Sequence, residues 1–356
     1  NSSAVSDQLS ANVIQIFSNN AAYAALKNDG SVVTWGDSYS GGDSSDISDL
    51  LNADVSKIFS TRDSFAAIKE DGSVINWGGG PISNISDAII VSETESEINF
   101  YKTRSYVRIR DQLLSEVKHL FSNEHAFAAL KEDGSVVTWG RIISGGKGDV
   151  FVTPKESENS TFNVYPIDHD LANIYQINST SNAFAALKID GSVISWGHSS
   201  YGGDSSEVYD QLSEVSNIFA TDYAFAALKQ DGSVVTWGHS TYGGVSSEVS
   251  DQLSGVTNIF ATDRAFAASQ EARPVVPRGD SLSGGESSEV SAQLFGVTNI
   301  FATDRAFAAL KDDGSIVTWG SNNHGGDVNI ASSIFGDSIN RHLSSGVVDI
   351  FSNEAA

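Results

Sequence analysis

The chain has 356 residues, with 21 basic against 45 acidic side chains and a formal net charge of −24. A field of that sign repels phosphate backbones and anionic lipid surfaces, so neither nucleic acid nor membrane is an expected partner. The 40% hydrophobic content supports a globular core, while the absence of cysteine excludes disulfides, thiolate metal sites and cysteine nucleophiles.

Residues 2–9, Ser-Ser-Ala-Val-Ser-Asp-Gln-Leu, read as the tail of a repeating unit. The segment Ala-Phe-Ala-Ala-Leu-Lys-x-Asp-Gly-Ser-Val-Val-Thr-Trp-Gly then recurs along the chain. Its tryptophans are Trp35, Trp77, Trp139, Trp196, Trp237 and Trp319, and Arg278 stands at the remaining equivalent position. Successive spacings are 42, 62, 57, 41, 41 and 41 residues, a period in the range of propeller blades.

Each repeat reads as strands. A short strand such as Thr257-Asn-Ile-Phe260 comes first, then an apolar run such as 225–229. An Asp-Gly turn follows, because glycine takes φ > 0 without strain, at Asp29-Gly30, Asp71-Gly72, Asp133-Gly134, Asp190-Gly191, Asp231-Gly232 and Asp313-Gly314. After Trp-Gly comes a polar loop such as Tyr242-Gly-Gly-Val-Ser-Ser247, then a segment of the type Glu248-Val-Ser-Asp-Gln-Leu253. That last segment reads equally as a fourth strand or a helical turn. Seven such units predict an all-β fold, a seven-bladed β-propeller with about 41 residues per blade, in a single domain over 1–356. No stretch keeps a 3.6-residue period, which excludes a helical solenoid.

Two connections are enlarged, by insertions at about 79–116 and 141–170. The first contains Phe100-Tyr101-Lys-Thr-Arg104-Ser-Tyr106-Val-Arg108-Ile-Arg110, which alternates and carries basic and aromatic side chains on one face. The second adds Arg141, Lys147 and Lys155. Function concentrates in long loops on rigid scaffolds, and arginine and tyrosine are favoured at interfaces. Tyr101, Arg104, Tyr106, Arg108, Arg110, Arg141 and Lys147 are therefore the candidate partner-binding residues. The plain alternative is a solvated hairpin whose arginines meet the protein's own carboxylates.

Repeat six departs from its neighbours. It has Ser269-Gln-Glu-Ala-Arg-Pro274 in place of Leu-Lys-x-Asp-Gly-Ser, and Pro277-Arg278-Gly279 in place of Thr-Trp-Gly. Prolines at two strand positions are expected to weaken its ladder. At the far end, residues 347–356 match the head of a repeat, already present at 13–22. The two ends can complete one blade of a closed ring, or the chain is part of a longer array.

The pattern Ala-Leu-x-x-Asp-Gly-x-Val-x-x-Trp-Gly resembles the repeat of the regulator of chromosome condensation family, over nearly the whole chain. The resemblance implies a seven-bladed propeller acting as an interaction platform. In that family the founding member exchanges guanine nucleotide on a small GTPase and binds chromatin; others are ubiquitin-ligase domains or a plant ultraviolet-B receptor. Where the family has Gly-Gln-Leu-Gly, this chain has Gly41-Gly42-Asp43, Gly202-Gly203-Asp204 or Gly243-Gly244-Val245, and the histidine common before the Ala-Leu strand occurs only as His125. The fold and the platform role carry over, and no active residue does.

Other signals are weaker. The repeated tryptophans and phenylalanines read as packing residues, and His198 and His239 as polar loop residues rather than metal ligands. The Gly-Gly-Asp-Ser-Ser loops lack the ligand spacing of a calcium loop. Gly279-Asp-Ser-Leu282, a lipase-like string, is repeat drift, and Gly145-Gly-Lys147-Gly lacks the pattern of a phosphate loop. The expectation is a monomeric, non-enzymatic scaffold for a protein partner, with no catalytic residue, cofactor or metal. Nucleotide exchange on a small GTPase and polysaccharide binding are the alternatives. High acidity without cysteine is compatible with a secreted or cell-surface protein.

Overall fold

The computed structural model describes residues 2–79, 113–146, 171–246, 251–271, 273–326 and 343–353. They form seven antiparallel three-stranded sheets, each in simple chain order, and helix occurs only as short 3-10 turns. This is the all-β, seven-bladed arrangement that the repeats predict. The first sheet, for example, holds Val13–Ser18, Ala22–Lys27 and Val32–Gly36. The chain divides into two compact units, Asn1–Ile174 with three sheets and Tyr175–Ala356 with four, the fourth sheet beginning at Ile174 itself. The segment that reads equally as strand or helical turn forms 3-10 turns, as at Ser45–Ile47, Ser206–Gln211 and Ser291–Gln293, and no fourth strand forms there among the described residues.

The repeat sequence explains how sheets stack within each unit. In Ala-Phe-Ala-Ala-Leu the side chains alternate between faces. Ala224, Ala226 and Leu228 face the next sheet, while Phe225 and Ala227 face the preceding one. Phe225 pairs across strands with Trp237, the rings stacked at 5.3 Å. The alanines, wholly buried, leave room on the preceding sheet for these large rings. In the first sheet the same face carries Tyr23, Trp35 and Ile16. Tyr23 is 46% exposed and Ile16 57%, whereas Phe225 and Ile218 are at 0% and 1%.

The Asp-Gly turns are hairpins, one residue longer than the two-residue form. Lys27 N–H bonds the Ser31 carbonyl, leaving three residues in the loop, with Gly30 at φ +76°. Asp29 Oδ1 accepts from Ser31 N–H and Oγ–H. The serine hydroxyl, then its N–H, hold the equivalent Asp29, Asp71, Asp133, Asp190, Asp231 and Asp313 below the usual carboxylate value.

The Gly-Gly pairs are structural. Gly202 sits at φ +89°, and a Cβ there would lie 2.6 Å from Phe225 Cδ2; on Gly203 it would lie 2.3 Å from the Gly197 carbonyl carbon. The carboxylate of the following Asp204 is committed to Ser206 N–H, as Asp43 is to Ser45 N–H.

Repeat six keeps its sheet despite the prolines. Val276–Gly279 forms the third strand, with Pro277 opposite Ala267. Arg278 takes the tryptophan's place, and its Nε–H bonds the Val245 carbonyl at 2.9 Å. In repeats five and seven the indole N–H makes the comparable bond to a loop carbonyl, from Trp237 to Gly202 and from Trp319 to Gly284. One donor is thus replaced, but the ring stacked on the phenylalanine is not. Restoring the repeat consensus at 269–278 is expected to raise the melting temperature by at least about 2 °C. Calorimetry showing no rise would mean that the altered repeat is fully compensated.

Candidate functional site

In every sheet the first strand turns into the second at the end from which the third strand leaves. Two residues of this turn and the four residues after Trp-Gly meet there, and they differ from repeat to repeat. The turn pairs are Asn20-Ala21, Arg62-Asp63, Glu124-His125, Ser181-Asn182, Asp222-Tyr223, Asp263-Arg264 and Asp304-Arg305. The loops after the glycine include Asp37-Ser-Tyr-Ser40, His198-Ser-Ser-Tyr201, His239-Ser-Thr-Tyr242 and Ser321-Asn-Asn-His324. The buried positions, by contrast, scarcely change.

Backbone bonds lock the turns to one another. In the first unit Asn20 N–H bonds the Arg62 carbonyl at 3.2 Å, and Arg62 N–H bonds the Glu124 carbonyl at 2.8 Å. In the second, Ser181, Asp222 and Asp263 donate in the same way to Asp222, Asp263 and Asp304. In five repeats the residue before the pair holds its own loop: Asn19 and Asn123 donate to the Ser40 and Ser144 carbonyls, and Thr180, Thr262 and Thr303 to those of Tyr201, Ser283 and His324. Each unit therefore presents a row of side chains from fixed backbone positions.

The rows differ in chemistry. The first unit shows an amide, a guanidinium and a carboxylate, from Asn20, Arg62 and Glu124, around a depression of about 510 Å³. Beside it lies His125, whose Nε2 is 3.5 Å from Glu124. Burial, then Arg141, hold its imidazole below the usual value, against the pull of Glu124. The second unit shows Asp222, Asp263 and Asp304. Burial, then Asp304, push the Asp263 carboxyl up.

Beside this acidic row lies an aromatic cluster. Tyr201 stacks on Tyr223 at 5.0 Å, Tyr223 meets Tyr242 at 4.7 Å, and His239 stacks on Tyr242 at 4.4 Å. Arg264 lies over both Tyr223 and Tyr242, at 5.5 and 5.2 Å. His198 packs edge-on to Tyr201. The histidines thus pack on tyrosines, and no group of three or more metal-ligating side chains occurs among the described residues.

Of the residues nominated from sequence, Arg141 is exposed and opens the 3-10 turn Ile142–Ser144 at this same end. Its N–H bonds the His125 carbonyl at 2.9 Å. Tyr101, Arg104, Tyr106, Arg108, Arg110 and Lys147 lie outside the described residues. No motif marks Asn20, Arg62, Glu124 or the tyrosine cluster. Their signal is that they change from repeat to repeat at fixed positions.

No family model matches this chain, and no curated protein does. Similar solved structures are human WBSCR16 (17% identity, TM-score 0.40, covering 86% of this chain and 77% of that one) and yeast RCC1 (Prp20) bound to Kap60 (17%, 0.38, 86% and 70%). A third is the CRINKLY WD40 ectodomain of the Arabidopsis thaliana receptor kinase ACR4 (14%, 0.38, 86% and 93%). The fold rests on the seven sheets themselves.

Proposed function

We propose that this chain is a non-enzymatic interaction module that holds a protein partner at the turn end of its sheets. One observation carries the reading: within a single chain, nearly invariant packing supports side chains that vary at that end. Rigid scaffolds with variable loops are how binding surfaces are built. Arg141 stands at this end, and the reading takes Tyr101, Arg104, Tyr106, Arg108, Arg110 and Lys147, nominated from the sequence, as further partner-binding residues. Prp20p from Saccharomyces cerevisiae, similar in structure at low identity, has binding properties to Gsp1p and histones. The reading for this chain rests on its own variable turn end.

Photo-crosslinking tests this. A crosslinking residue placed at position 141, 223 or 264 is expected to capture partner from the source's own extract. The same residue at hairpin positions 28, 189 and 230 is expected to capture none. Capture from the hairpin end alone, or from neither, would overturn the reading.

A further inference from the structure

The depression in the first compact unit has a chemistry of its own, independent of the protein-partner reading. Its lining is wholly polar: Ser18, Asn19 and Asn20, with Ser60, Thr61 and Arg62, and Ser122, Asn123 and Glu124. Part of that lining is committed to the fold. Asn19 and Asn123 each use the amide N–H on a loop carbonyl and the amide oxygen on two backbone N–H groups. Thr61 is engaged by Ser64, and Ser60 donates to the Ser18 carbonyl.

What remains is the row Asn20, Arg62 and Glu124, with the Ser18 hydroxyl beside it and His125 Nε2 3.5 Å from Glu124 Oε2. Among the described residues, Asn20 makes no side-chain hydrogen bond. Arg62 Nη1 and Glu124 Oε2 stand 3.9 Å apart, their side chains 52% and 44% exposed. That separation is too long for a hydrogen bond. It fits one bridging hydroxyl, which accepts from the guanidinium at about 2.9 Å and donates to the carboxylate at about 2.7 Å. The neighbouring amide both donates and accepts, so it suits a second hydroxyl. The row carries one positive and one negative group, so it selects for a neutral ligand within a chain of net charge −24. A zwitterion such as an amino acid meets the two charges but offers no hydroxyl to bridge them or to pair with Asn20, and glycine is therefore one of the probes.

We propose that this depression binds a neutral polyol with adjacent hydroxyl groups, of the kind a sugar residue presents. Arg62 and Glu124 share one hydroxyl, and Asn20 takes its neighbour. The backbone ladder through Asn20, Arg62 and Glu124 fixes the three side chains' origins before the ligand arrives, which lowers the ordering cost of binding.

The test is a titration of the arginine-¹⁵N-labelled full chain, read at the Arg62 Nε–H resonance. The probes are methyl α-mannoside and methyl β-glucoside, a dideoxy glycoside lacking the adjacent hydroxyls, and glycine. A saturable shift is expected with at least one methyl glycoside, and more than about tenfold weaker binding of the dideoxy analogue, since the loss of even one hydrogen bond predicts about tenfold and both hydroxyls are gone. Asn20→Ala and Glu124→Gln are each expected to weaken binding about tenfold. Both residues are exposed, so an unchanged melting temperature shows that the fold survives. Three results would overturn the proposal: no saturable shift with any glycoside, undiminished binding in both variants, or saturation by glycine in place of the glycosides.

Discussion

Phe225→Ala is expected to cost about 3–5 kcal/mol of stability, and Tyr23→Ala no more than about 1–1.5 kcal/mol, although the two residues occupy the same repeat position. Phe225 is fully buried in a cluster with Trp237, Val235, Ile218 and Ala185. Truncation there removes a ring's worth of dispersion contacts and leaves a cavity in a close-packed junction. Tyr23 also stacks on its tryptophan, Trp35, at 5.2 Å. Its other neighbours are fewer, since it is 46% exposed and Ile16 beside it 57%. Urea unfolding of the two variants, fitted separately where more than one transition appears, measures the difference. Equal losses would show that Tyr23 is covered in solution as thoroughly as Phe225.

That contrast marks where the sequence is informative. The period, the Asp-Gly hairpins and the stacked Phe-Trp pairs are legible because every repeat solves the same packing problem with the same residues. The 3-10 turns are less legible. Their segments, such as 206–211, are too short to reveal a helical period and are neither clearly apolar nor alternating. The site is legible only by subtraction. Asn20, Arg62 and Glu124 match no motif, but once the packing positions are set aside they are what remains at the turns. The backbone ladder joining them could not be read, because it links residues about one repeat apart through groups common to every amino acid.

The Gly-Gly loops show the same division between packing and surface. Gly203→Ala is expected to destabilise the protein by about 1–3 kcal/mol, as overpacking does. A Cβ there would lie 2.3 Å from the Gly197 carbonyl carbon and 2.4 Å from its oxygen. Both are backbone atoms of the Trp-Gly step, so no side chain can rotate away to make room. Gly255→Asn is the control, and it is expected to change stability by less than about 0.5 kcal/mol. Gly255 has φ +69°, yet a Cβ would meet nothing within 4 Å. Asn12, Asp54, Glu116, Asn173 and Glu214 hold the same place in other repeats, all at positive φ between 57° and 67°. Asparagine tolerates that region through its short polar side chain. The repeats keep glycine at the place of Gly203 and replace it at that of Gly255, because the first is required by a neighbouring backbone and the second answers only to its own dihedral. Melting temperatures of the two variants separate these causes. A harmless Gly203→Ala would mean that the loop shifts off the Trp-Gly step at little cost, which would remove the packing explanation for the Gly-Gly pair.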